Sequence, residues 1–118
     1  MVPLISVELI EATIFTSRII EYVDDDRYRA FQSYLVSNPE LGVLVPNSGG
    51  LRKARMAIAG AGKSGGARVI YLYLKNANII FLLLVYLKSS RENLTQNQLK
   101  QLREISARIK TTYRNEET

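Results

Sequence analysis

Residues 67–88, ARVIYLYLKNANIIFLLLVYLK, decide the fold of this chain. The first part, 67–75, is rich in β-branched and aromatic residues and short enough for a strand. The triplet NAN at 76–78 is typical of a turn. The run at 79–88 is almost wholly apolar, as a central strand covered on both faces would be. The pattern therefore predicts two long neighbouring strands joined by a tight turn.

The segment upstream of this pair, LRKARMAIA at 51–59, predicts a further strand, which completes a three-stranded meander. Alternate residues of a strand share a face, so Lys53 and Arg55 are expected on one face and Arg52 on the other. On the next strand, the same alternation separates Arg68 from Tyr71, which we expect in the core. Tyr73 is assigned to the core for the same reason, and Tyr86 and Lys88 are expected to share a face.

The N-terminal third predicts a strand followed by two helices. Residues 3–11, PLISVELIE, alternate loosely and indicate the strand, and residues 13–23 indicate a short helix. Three aspartates at 24–26 suit the N-terminus of a second helix, where carboxylates cap backbone N–H groups and oppose the helix dipole. This helix is expected to end at 38–39, Asn-Pro. The two helices would cover one face of the sheet.

The C-terminal helix has the clearest local signal. Thr95 and Gln98 have capping-box spacing, and Leu94 and Leu99 have the spacing of a hydrophobic staple. An apolar stripe follows at Leu99, Leu102, Ile105, Ile109 and Tyr113. We interpret the stripe as core packing, with a basic surface helix that touches RNA as the alternative. Residues 114–118 are expected to be frayed.

Together these elements predict one α+β domain over residues 1–118. Its antiparallel-rich twisted sheet would contain an N-terminal strand and a C-terminal three-stranded meander, packed with two N-terminal helices and a C-terminal helix. The chain has 118 residues and 47% hydrophobic composition, which fits one folded domain. The longest apolar run, 79–87, is about half the length of a membrane-spanning helix. Since the chain also begins without a basic leader and has no cysteine, we expect a cytoplasmic protein.

The charge is divided unevenly along the chain. Residues 1–50 contain seven acidic and three basic side chains, whereas residues 51–118 contain thirteen basic and four acidic ones. The window 51–91 has eight cations and no carboxylate, which indicates a surface for phosphates. A basic face that only aids solubility or meets an acidic protein is the alternative. Histidine is absent, so catalysis would have to use Lys, Arg, Tyr, Asp or Glu.

The segment GAGKSGG at 60–66 invites comparison with a phosphate-binding nucleotide loop. Such a loop needs a glycine at the position that Ala57 occupies, and it must open a helix. Here the sequence predicts a strand next. We therefore interpret the segment as a hairpin connection and expect no nucleotide cofactor.

With these elements in order, the chain resembles the RelE/HigB superfamily of toxin–antitoxin ribonucleases, and most closely its HigB-type branch. The resemblance is carried by the Gly-Gly-Leu-Arg-Lys-x-Arg run at 49–55, the glycine loop that ends at Arg68, the Tyr-x-Lys at 86–88 and the segment RENLTQNQLKQL at 91–102. It extends from about the first strand to the last helix. The resemblance implies that the glycine loop joins two strands of a basic active surface.

Proteins of this superfamily are small toxins that cut messenger RNA in the ribosomal decoding site without a metal ion. The resemblance therefore implies a ribosome-dependent mRNA endonuclease that leaves a 2′,3′-cyclic phosphate or the corresponding phosphate end and inhibits translation. It implies as partners the ribosome, mRNA and a cognate antitoxin, which in the HigB-type branch usually carries a helix-turn-helix domain and is HigA-like. No metal, other cofactor or membrane partner is expected.

Five residues are candidates for catalysis. Arg68 is expected to stabilise the negative charge that develops on the phosphate, because guanidinium groups make planar, bidentate phosphate contacts. Arg55 and Lys53 would bind flanking phosphates. A lysine crowded by cations loses its proton more readily, so Lys53 or Lys88 is a candidate for proton transfer. Tyr86 is expected to stack on a splayed base, with proton exchange as the alternative.

Four further cations, Arg52, Lys63, Lys75 and Arg91, are candidate RNA-binding residues. Arg52 lies on the opposite predicted face, so an alternative is that it caps a helix or pairs with the acidic N-terminal half. Arg91 is equally consistent with a solvated side chain near a strand end.

The chain departs from the superfamily pattern in two places. Relatives often have more basic residues in the glycine loop, where this chain has Ala61 and Ser64. Around the Tyr-x-Lys they have a small residue and then Asn, where this chain has Leu87 and Ser89. An inactive relative, or a non-catalytic RNA-binding or ribosome-binding module on the same fold, therefore stays open as the alternative function.

Overall fold

A computed structural model describes residues 7–58, 66–90 and 93–117. Within these ranges the chain forms five strands and three α-helices. In chain order they are β1 (Glu8–Glu11), α1 (Thr13–Tyr22), α2 (Asp25–Ser37), β2 (Val43–Leu44), β3 (Leu51–Met56), β4 (Ala67–Leu74), a 3-10 turn (Lys75–Ala77), β5 (Ile79–Leu87) and α3 (Gln96–Glu117). The predicted order of strand, two helices, meander and terminal helix is confirmed.

The strands form one mixed sheet in the order β1-β5-β4-β3-β2. β1 pairs with β5 in parallel, and the other neighbours are antiparallel, so the expected antiparallel-rich sheet is confirmed. The turn between β4 and β5 closes at Asn78, which has the left-handed φ of 55° that asparagine tolerates well. β4 and β5 thus lie inside the sheet, as their apolar sequences predict.

The register between β4 and β5 contains a bulge. Ile70 pairs with Leu84 and Tyr71 pairs with Leu82, so Leu83 is the extra residue on β5. Strict alternation would put Leu82 and Val85 on opposite faces, yet both belong to the same core. The bulge therefore reverses the faces of β5 partway along the strand, which sequence alternation alone does not reveal.

One face of the sheet is covered by the helical hairpin of α1 and α2. This larger core contains Phe15, Ile19, Phe31 and Leu35 from the helices and Ala54, Met56, Ala67, Val69, Tyr71, Ile80, Leu82 and Val85 from the sheet. Tyr71 is fully buried and Tyr73 packs against this core, as expected of both. The hairpin cover predicted from the sequence is confirmed.

The other face carries a smaller core beneath α3, formed by Leu51, Ile70, Leu72, Leu83, Tyr86 and Leu102. α3 begins with the predicted capping box: the Gln98 N–H donates to Thr95 Oγ1 at 3.1 Å, and the Thr95 N–H donates to Gln98 Oε1 at 3.0 Å. Further along, Tyr113 meets Phe81 edge to face, with ring centroids 5.5 Å apart.

The apolar stripe of α3 differs from the prediction at one position. Ile105 is 36% exposed, whereas the neighbouring Ser106 is fully buried. The reason is a polar contact: Ser106 Oγ donates to the Gly49 carbonyl oxygen at 3.0 Å and so turns this edge of the helix toward the 47–50 turn. α3 runs to Glu117 and so includes most of the segment 114–118, whose fraying stays a prediction.

In the part of the chain that the structure describes, no helix is both long and apolar enough to cross a membrane.

Candidate phosphate-binding cleft

A row of paired residues crosses three strands at one end of the sheet. Arg55 of β3 lies directly opposite Arg68 of β4, and Arg68 lies opposite Tyr86 of β5. Directly opposed residues of antiparallel strands have Cβ atoms about 4.5–5.5 Å apart, and like charges in such a pair destabilise a sheet. Two opposed arginines therefore indicate that this end of the sheet is built to meet an anion.

Gly66 fixes the start of β4 beside this row. Its φ of 64° is left-handed, and an added Cβ would lie 2.5 Å from the Met56 carbonyl oxygen. The Lys88 N–H donates to the Gly66 carbonyl oxygen at 3.0 Å, which brings the end of β5 next to the start of β4. The rest of the glycine loop, 60–65, lies outside the described residues. The strand that was predicted to follow it is confirmed, and this removes the helix that a nucleotide loop requires.

The cations surround a cleft of about 570 Å³. Four of the predicted catalytic residues, Lys53, Arg55, Arg68 and Lys88, line it together. The other described lining residues are Tyr34, Leu41, Val43, Ala54 and Asn93, so none of them is a carboxylate. The electrostatic field in the cleft is therefore positive, and its lining favours an anionic ligand.

Arg68 differs from the other cations by its burial. It is 6% exposed, and its Nη1 donates to the carbonyl oxygen of Ala67 at 3.2 Å. Arg55 is exposed, and Lys53 and Lys88 are half-buried. A guanidinium held within a folded sheet loses little conformational freedom when a ligand binds, so Arg68 forms a fixed part of the cleft, whereas Arg55 lies on its exposed rim.

Asn93 is a cleft residue that the sequence did not reveal. Lys53 Nζ donates to Asn93 Oδ1 at 3.3 Å, and this bond joins β3 to the segment that precedes α3. Tyr34 was also missed: it lies on the rim of the cleft and is 57% exposed. The sequence does contain an indication for Tyr34. This aromatic residue lies outside the apolar helix face formed by Tyr28, Phe31 and Leu35, so it is not needed for the core. Asn93 has no comparable signal, because its role depends on a contact forty residues away.

The wall of the cleft next to β2 is held by Tyr71. The Tyr71 hydroxyl donates to the Pro39 carbonyl oxygen at 2.7 Å and accepts from the Gly42 N–H at 2.8 Å. Gly42 permits this close approach, since an added Cβ would lie 2.9 Å from Tyr71 Cε1. Burial is the main reason that the pKa of Tyr71 is raised above its ordinary value, which keeps the hydroxyl protonated as a donor.

Arg52 takes part in the same wall. Its Nη1 donates to the Gly42 carbonyl oxygen at 2.8 Å and to the Glu40 carbonyl oxygen at 3.2 Å, and its Nη2 lies 4.0 Å from a Glu40 carboxylate oxygen. These contacts agree with the alternative in which Arg52 pairs with the acidic N-terminal half. The structure therefore gives Arg52 a positioning contact with the segment before β2, on the face opposite to Lys53.

The remaining candidates are not gathered at the cleft. Tyr86 is 6% exposed and packs in the core beneath α3, and it lines the space beside the cleft that Lys53 and Asn93 also line. Its stacking role stays a prediction. Lys75 lies at the far end of β4, about 20 Å from Arg68 at the usual rise of a strand. There it lines a shallow depression with Lys110 and Arg114. Lys63 and Arg91 lie outside the described residues.

Among the described residues, no three acidic side chains approach one another in a way that could hold a metal ion. The expectation that the protein uses no cofactor stays a prediction. What the cleft offers chemically is a set of hydrogen-bond donors around a fixed guanidinium, without a histidine or a carboxylate in its described lining.

The fold and the cleft together define a small α+β protein with a cleft lined by four cations. A family model described as the RelE toxin of the RelE/RelB toxin–antitoxin system matches residues 40–117. The chain belongs to this family. It is therefore a toxin of a toxin–antitoxin pair, with a cognate antitoxin as its partner. Toxins of this family are endoribonucleases, and this chain is assigned to that class of enzyme. The match includes every described lining residue of the cleft except Tyr34.

Proposed function

We propose that the protein is a ribosome-dependent mRNA endonuclease that cuts messenger RNA in the decoding site and thereby inhibits translation. One observation carries the proposal: Arg55 and Arg68 are directly opposed in the sheet and line one cleft with Lys53 and Lys88. Such a cluster offers donors to several oxygens of a phosphodiester at once. Family membership supports a nuclease, and the basic cleft supports RNA as the ligand.

The proposed reaction needs no group outside the RNA and the protein. The ribose 2′-oxygen attacks the adjacent 3′-phosphorus, the bond from phosphorus to the 5′-oxygen breaks, and a 2′,3′-cyclic phosphate forms. The proton leaves the 2′-hydroxyl and reaches the departing 5′-oxygen. Arg68 would stabilise the charge that develops on the phosphate oxygens, because its fixed guanidinium requires little reorganisation.

The other cleft residues have supporting roles in this proposal. Arg55, on the exposed rim, would hold a flanking phosphate. Lys53 and Lys88 are the proposed proton carriers, and Asn93 would orient the Lys53 amine through its 3.3 Å bond. Tyr34 is the exposed aromatic side chain on the cleft, so we propose it in place of Tyr86 as a stacking platform for a base.

The partner proposed at finer detail is a HigA-like antitoxin with a helix-turn-helix domain, whose complex with the toxin represses its own promoter. The site of action would be the cytoplasm, where translating ribosomes are found. The HigB-type branch stays a prediction, since the matched family is the broader one.

A non-catalytic RNA-binding or ribosome-binding module is the second candidate. It is favoured by the burial of Tyr86 and by the lack of a carboxylate in the described cleft lining, which leave lysines as the proton carriers. An inactive member of the family would behave in the same way.

Primer extension on mRNA in a reconstituted translation reaction tests the proposal, with and without ribosomes. The variants are Arg68→Ala, Arg55→Ala and, as a matched control, Arg29→Ala, which removes an exposed arginine of α2 that does not line the cleft. We expect ribosome-dependent cuts with the wild type and with Arg29→Ala, and a loss of about 100-fold or more with Arg68→Ala. Intact mRNA with folded wild-type protein would favour the binding module.

Binding to ribosomes by the same variants separates the two candidates. A catalytic Arg68 would lose turnover with a modest loss of binding, whereas a pure phosphate contact would lose both in proportion. Circular dichroism and thermal melting check that Arg68→Ala is folded, which matters because this side chain is buried.

A further inference from the structure

The segment 39–42, which leads from α2 into β2, is anchored by side chains of the sheet. β2 pairs with β3 over two residues, Val43 and Leu44, at the edge of the sheet. A ladder this short supplies few backbone hydrogen bonds, so the chain that precedes it needs other partners for its polar groups. Arg52 of β3 and Tyr71 of β4 supply them.

Arg52 and Tyr71 act as one unit, because they are directly opposed in the register of β3 and β4 and therefore share a face of the sheet. Arg52 Nη1 donates to the carbonyl oxygens of Glu40 at 3.2 Å and Gly42 at 2.8 Å. The Tyr71 hydroxyl donates to the Pro39 carbonyl oxygen and accepts from the Gly42 N–H. Each side chain thus bonds to Gly42 and to one residue before it. We call Arg52 and Tyr71 the wall clip.

The position of Gly42 affects the cleft in two ways. Leu41 and Val43, the residues on either side of it, both line the cleft. Gly42 also lies against β3, since an added Cβ would be 3.0 Å from the carbonyl carbon and oxygen of Lys53. A shift of Gly42 would therefore move two lining side chains and remove a contact with the backbone of a lining cation.

Arg52 reaches the wall from the face of the sheet opposite to Lys53. Neighbouring residues of a strand point to opposite faces, and Lys53 lines the cleft whereas Arg52 does not. The Arg52 side chain is 20% exposed, and its Nη2 lies 4.0 Å from a Glu40 carboxylate oxygen, which offsets part of its charge. A phosphate bound between the cleft cations would not meet this guanidinium.

We propose that Arg52 is a positioning residue of the cleft, which holds the wall at 39–43 through the wall clip and makes no contact with RNA. The proposal rests on the proposed function, since it takes RNA as the ligand of the cleft. It replaces the RNA-binding role that the sequence suggested for Arg52. A misplaced wall lowers the reaction rate by spoiling the orientation of the RNA, whereas affinity follows the number of phosphate contacts.

Two substitutions separate charge from geometry. Arg52→Ala removes the contacts of the clip, and Arg52→Lys keeps the charge but loses the planar fork that reaches two carbonyl oxygens. We expect both to lower the single-turnover cleavage rate on ribosomes by about 10- to 100-fold, with affinity for a noncleavable oligonucleotide within about twofold of the wild type. Arg29→Ala, an exposed arginine of α2, is the control and should change neither. Full activity of Arg52→Lys would show that charge alone matters and overturn the proposal.

The salt dependence of oligonucleotide binding tests the same point without cleavage. Loss of a phosphate contact would reduce the slope of log affinity against log salt concentration by about 0.7. We expect the slope for Arg52→Ala to equal that of the wild type. A reduction of that size would make Arg52 a phosphate contact and overturn the proposal, whether or not the protein cuts RNA.

NMR of the ¹⁵N-labelled protein separates positioning from a general loss of packing. Arg52→Ala should shift the backbone resonances of 39–43 and Lys53, and it should leave those of Phe15 and Ile19 in the larger core unchanged. Arg52→Lys should give the same pattern, and it serves alone if Arg52→Ala does not fold. Unchanged resonances at 39–43 would show that Arg52 does not hold the wall.

A double-mutant cycle measures whether the two members of the clip act on the same segment. Arg52→Ala and Tyr71→Phe together should lower the cleavage rate by less than the product of their separate effects, because either change releases the segment. Arg52→Ala and Arg55→Ala should multiply, since Arg55 lies on the exposed rim. Multiplication in the first pair would overturn the clip.

Failure of the positioning role is distinguishable from failure of the proposed nuclease. Ribosome-dependent cutting at the wild-type rate by both Arg52 variants would reject the positioning role and keep the nuclease. Intact mRNA with wild-type protein would reject the nuclease. In that case, shifted resonances at 39–43 together with an unchanged salt slope would still support Arg52 as a positioning residue of an RNA-binding cleft.

Discussion

At the scale of single residues, burial separates the cations that share one charge. Arg68 is held within the sheet opposite Arg55, which is exposed. A fixed guanidinium can meet developing charge without rearrangement, whereas an exposed one gains less from a specific geometry. The two arginines are therefore expected to respond differently to a change that preserves charge but not shape.

Lysine substitutions test this difference. Arg68→Lys keeps the positive charge but loses the planar fork, so we expect the cleavage rate on ribosomes to fall by more than about tenfold. Arg55→Lys should stay within about threefold of the wild type, because an exposed flanking contact requires mainly charge. Single-turnover rates measure both. Equal losses in the two variants would show that burial does not distinguish them.

The hydrogen bonds of the Tyr71 hydroxyl lead to a prediction about stability. Tyr71→Phe removes the hydroxyl that joins the Pro39 carbonyl and the Gly42 N–H, and leaves both groups without this partner. We expect the free energy of unfolding to fall by about 1–3 kcal/mol in urea denaturation. Tyr73→Phe, on the same face of β4 but half-buried, is the control and should cost less. A neutral Tyr71→Phe would mean that water replaces the hydroxyl.

At the scale of elements, the helix ends and their anchors position the cleft. α2 begins at the Asp24 cap, where the Arg27 N–H donates to Asp24 Oδ1 at 2.8 Å. α3 holds the turn after β2 through three side chains: Arg103 donates to the Asn47 carbonyl, and Ser106 and Lys110 both donate to the Gly49 carbonyl. α3 thus supports the β2 side of the site from outside.

The Asp24 cap predicts a pH dependence. The hydrogen bond from the Arg27 backbone N–H, and then that from the Arg27 side chain, lowers the pKa of Asp24 below its ordinary value of 3.8. A lowered folded-state pKa gives stability that is present above the unfolded value and lost as pH falls through the folded value. We therefore expect Asp24→Ala to lower the melting temperature at pH 7, and the difference from wild type to shrink below about pH 3.8.

Asp26→Ala is the control for the cap, because Asp26 lies in the same first turn but accepts no hydrogen bond from the Arg27 N–H. It should have a smaller effect that comes from the helix dipole alone. A difference between Asp24→Ala and wild type that stays constant from pH 7 to pH 3 would contradict the assigned cause.

Ser106 tests the anchoring of the turn by α3. Ser106→Ala removes the buried hydroxyl that donates a hydrogen bond to the Gly49 carbonyl oxygen. We expect the free energy of unfolding to fall by about 1 kcal/mol. Thr112→Ala, which removes an exposed hydroxyl bonded only within α3, should be close to neutral. Hydrogen exchange at residues 47–50 should also accelerate in Ser106→Ala. Unchanged exchange there would show that the helix does not anchor the turn.

At the scale of the whole molecule, charge is sorted by position in the fold. The acidic N-terminal half forms β1 and the hairpin of α1 and α2, while the basic half forms the meander and α3. The cleft lies where the meander meets the rim of the hairpin at Tyr34. The cleft therefore lies on the basic half of the chain, and the carboxylates of residues 1–50 lie mainly on the helical side.

The salt dependence of RNA binding measures this sorting. For a single-stranded RNA, each phosphate contact contributes about 0.7 to the slope of log affinity against log salt concentration. We expect Arg55→Ala to reduce the slope by about that amount, and Arg29→Ala, on helix α2, to leave it unchanged. Fluorescence anisotropy with a noncleavable oligonucleotide provides the measurement. Equal reductions would indicate that binding follows net charge and not the cleft.

The sequence by itself determined the elements and most of the cationic cluster. Alternation placed Lys53 and Arg55 on one face, and the capping box fixed the start of α3, because both signals depend on residues close together in the chain. The placement of Arg68, Tyr86 and Lys88 on one active surface was implied by the resemblance to the RelE/HigB superfamily. Hydrophobic patterning was sufficient for the strands themselves, since each strand has to bury one face or two.

Only the tertiary structure decided which of these side chains share a cleft and how deeply each is buried. The bond between Lys53 and Asn93, the burial of Tyr86 under α3 and the contacts of Arg52 with the segment before β2 all join residues far apart in sequence. The bulge at Leu83 and the buried Ser106 arise in the same way. Local patterns fix which face a residue takes, but packing between elements fixes what it meets there.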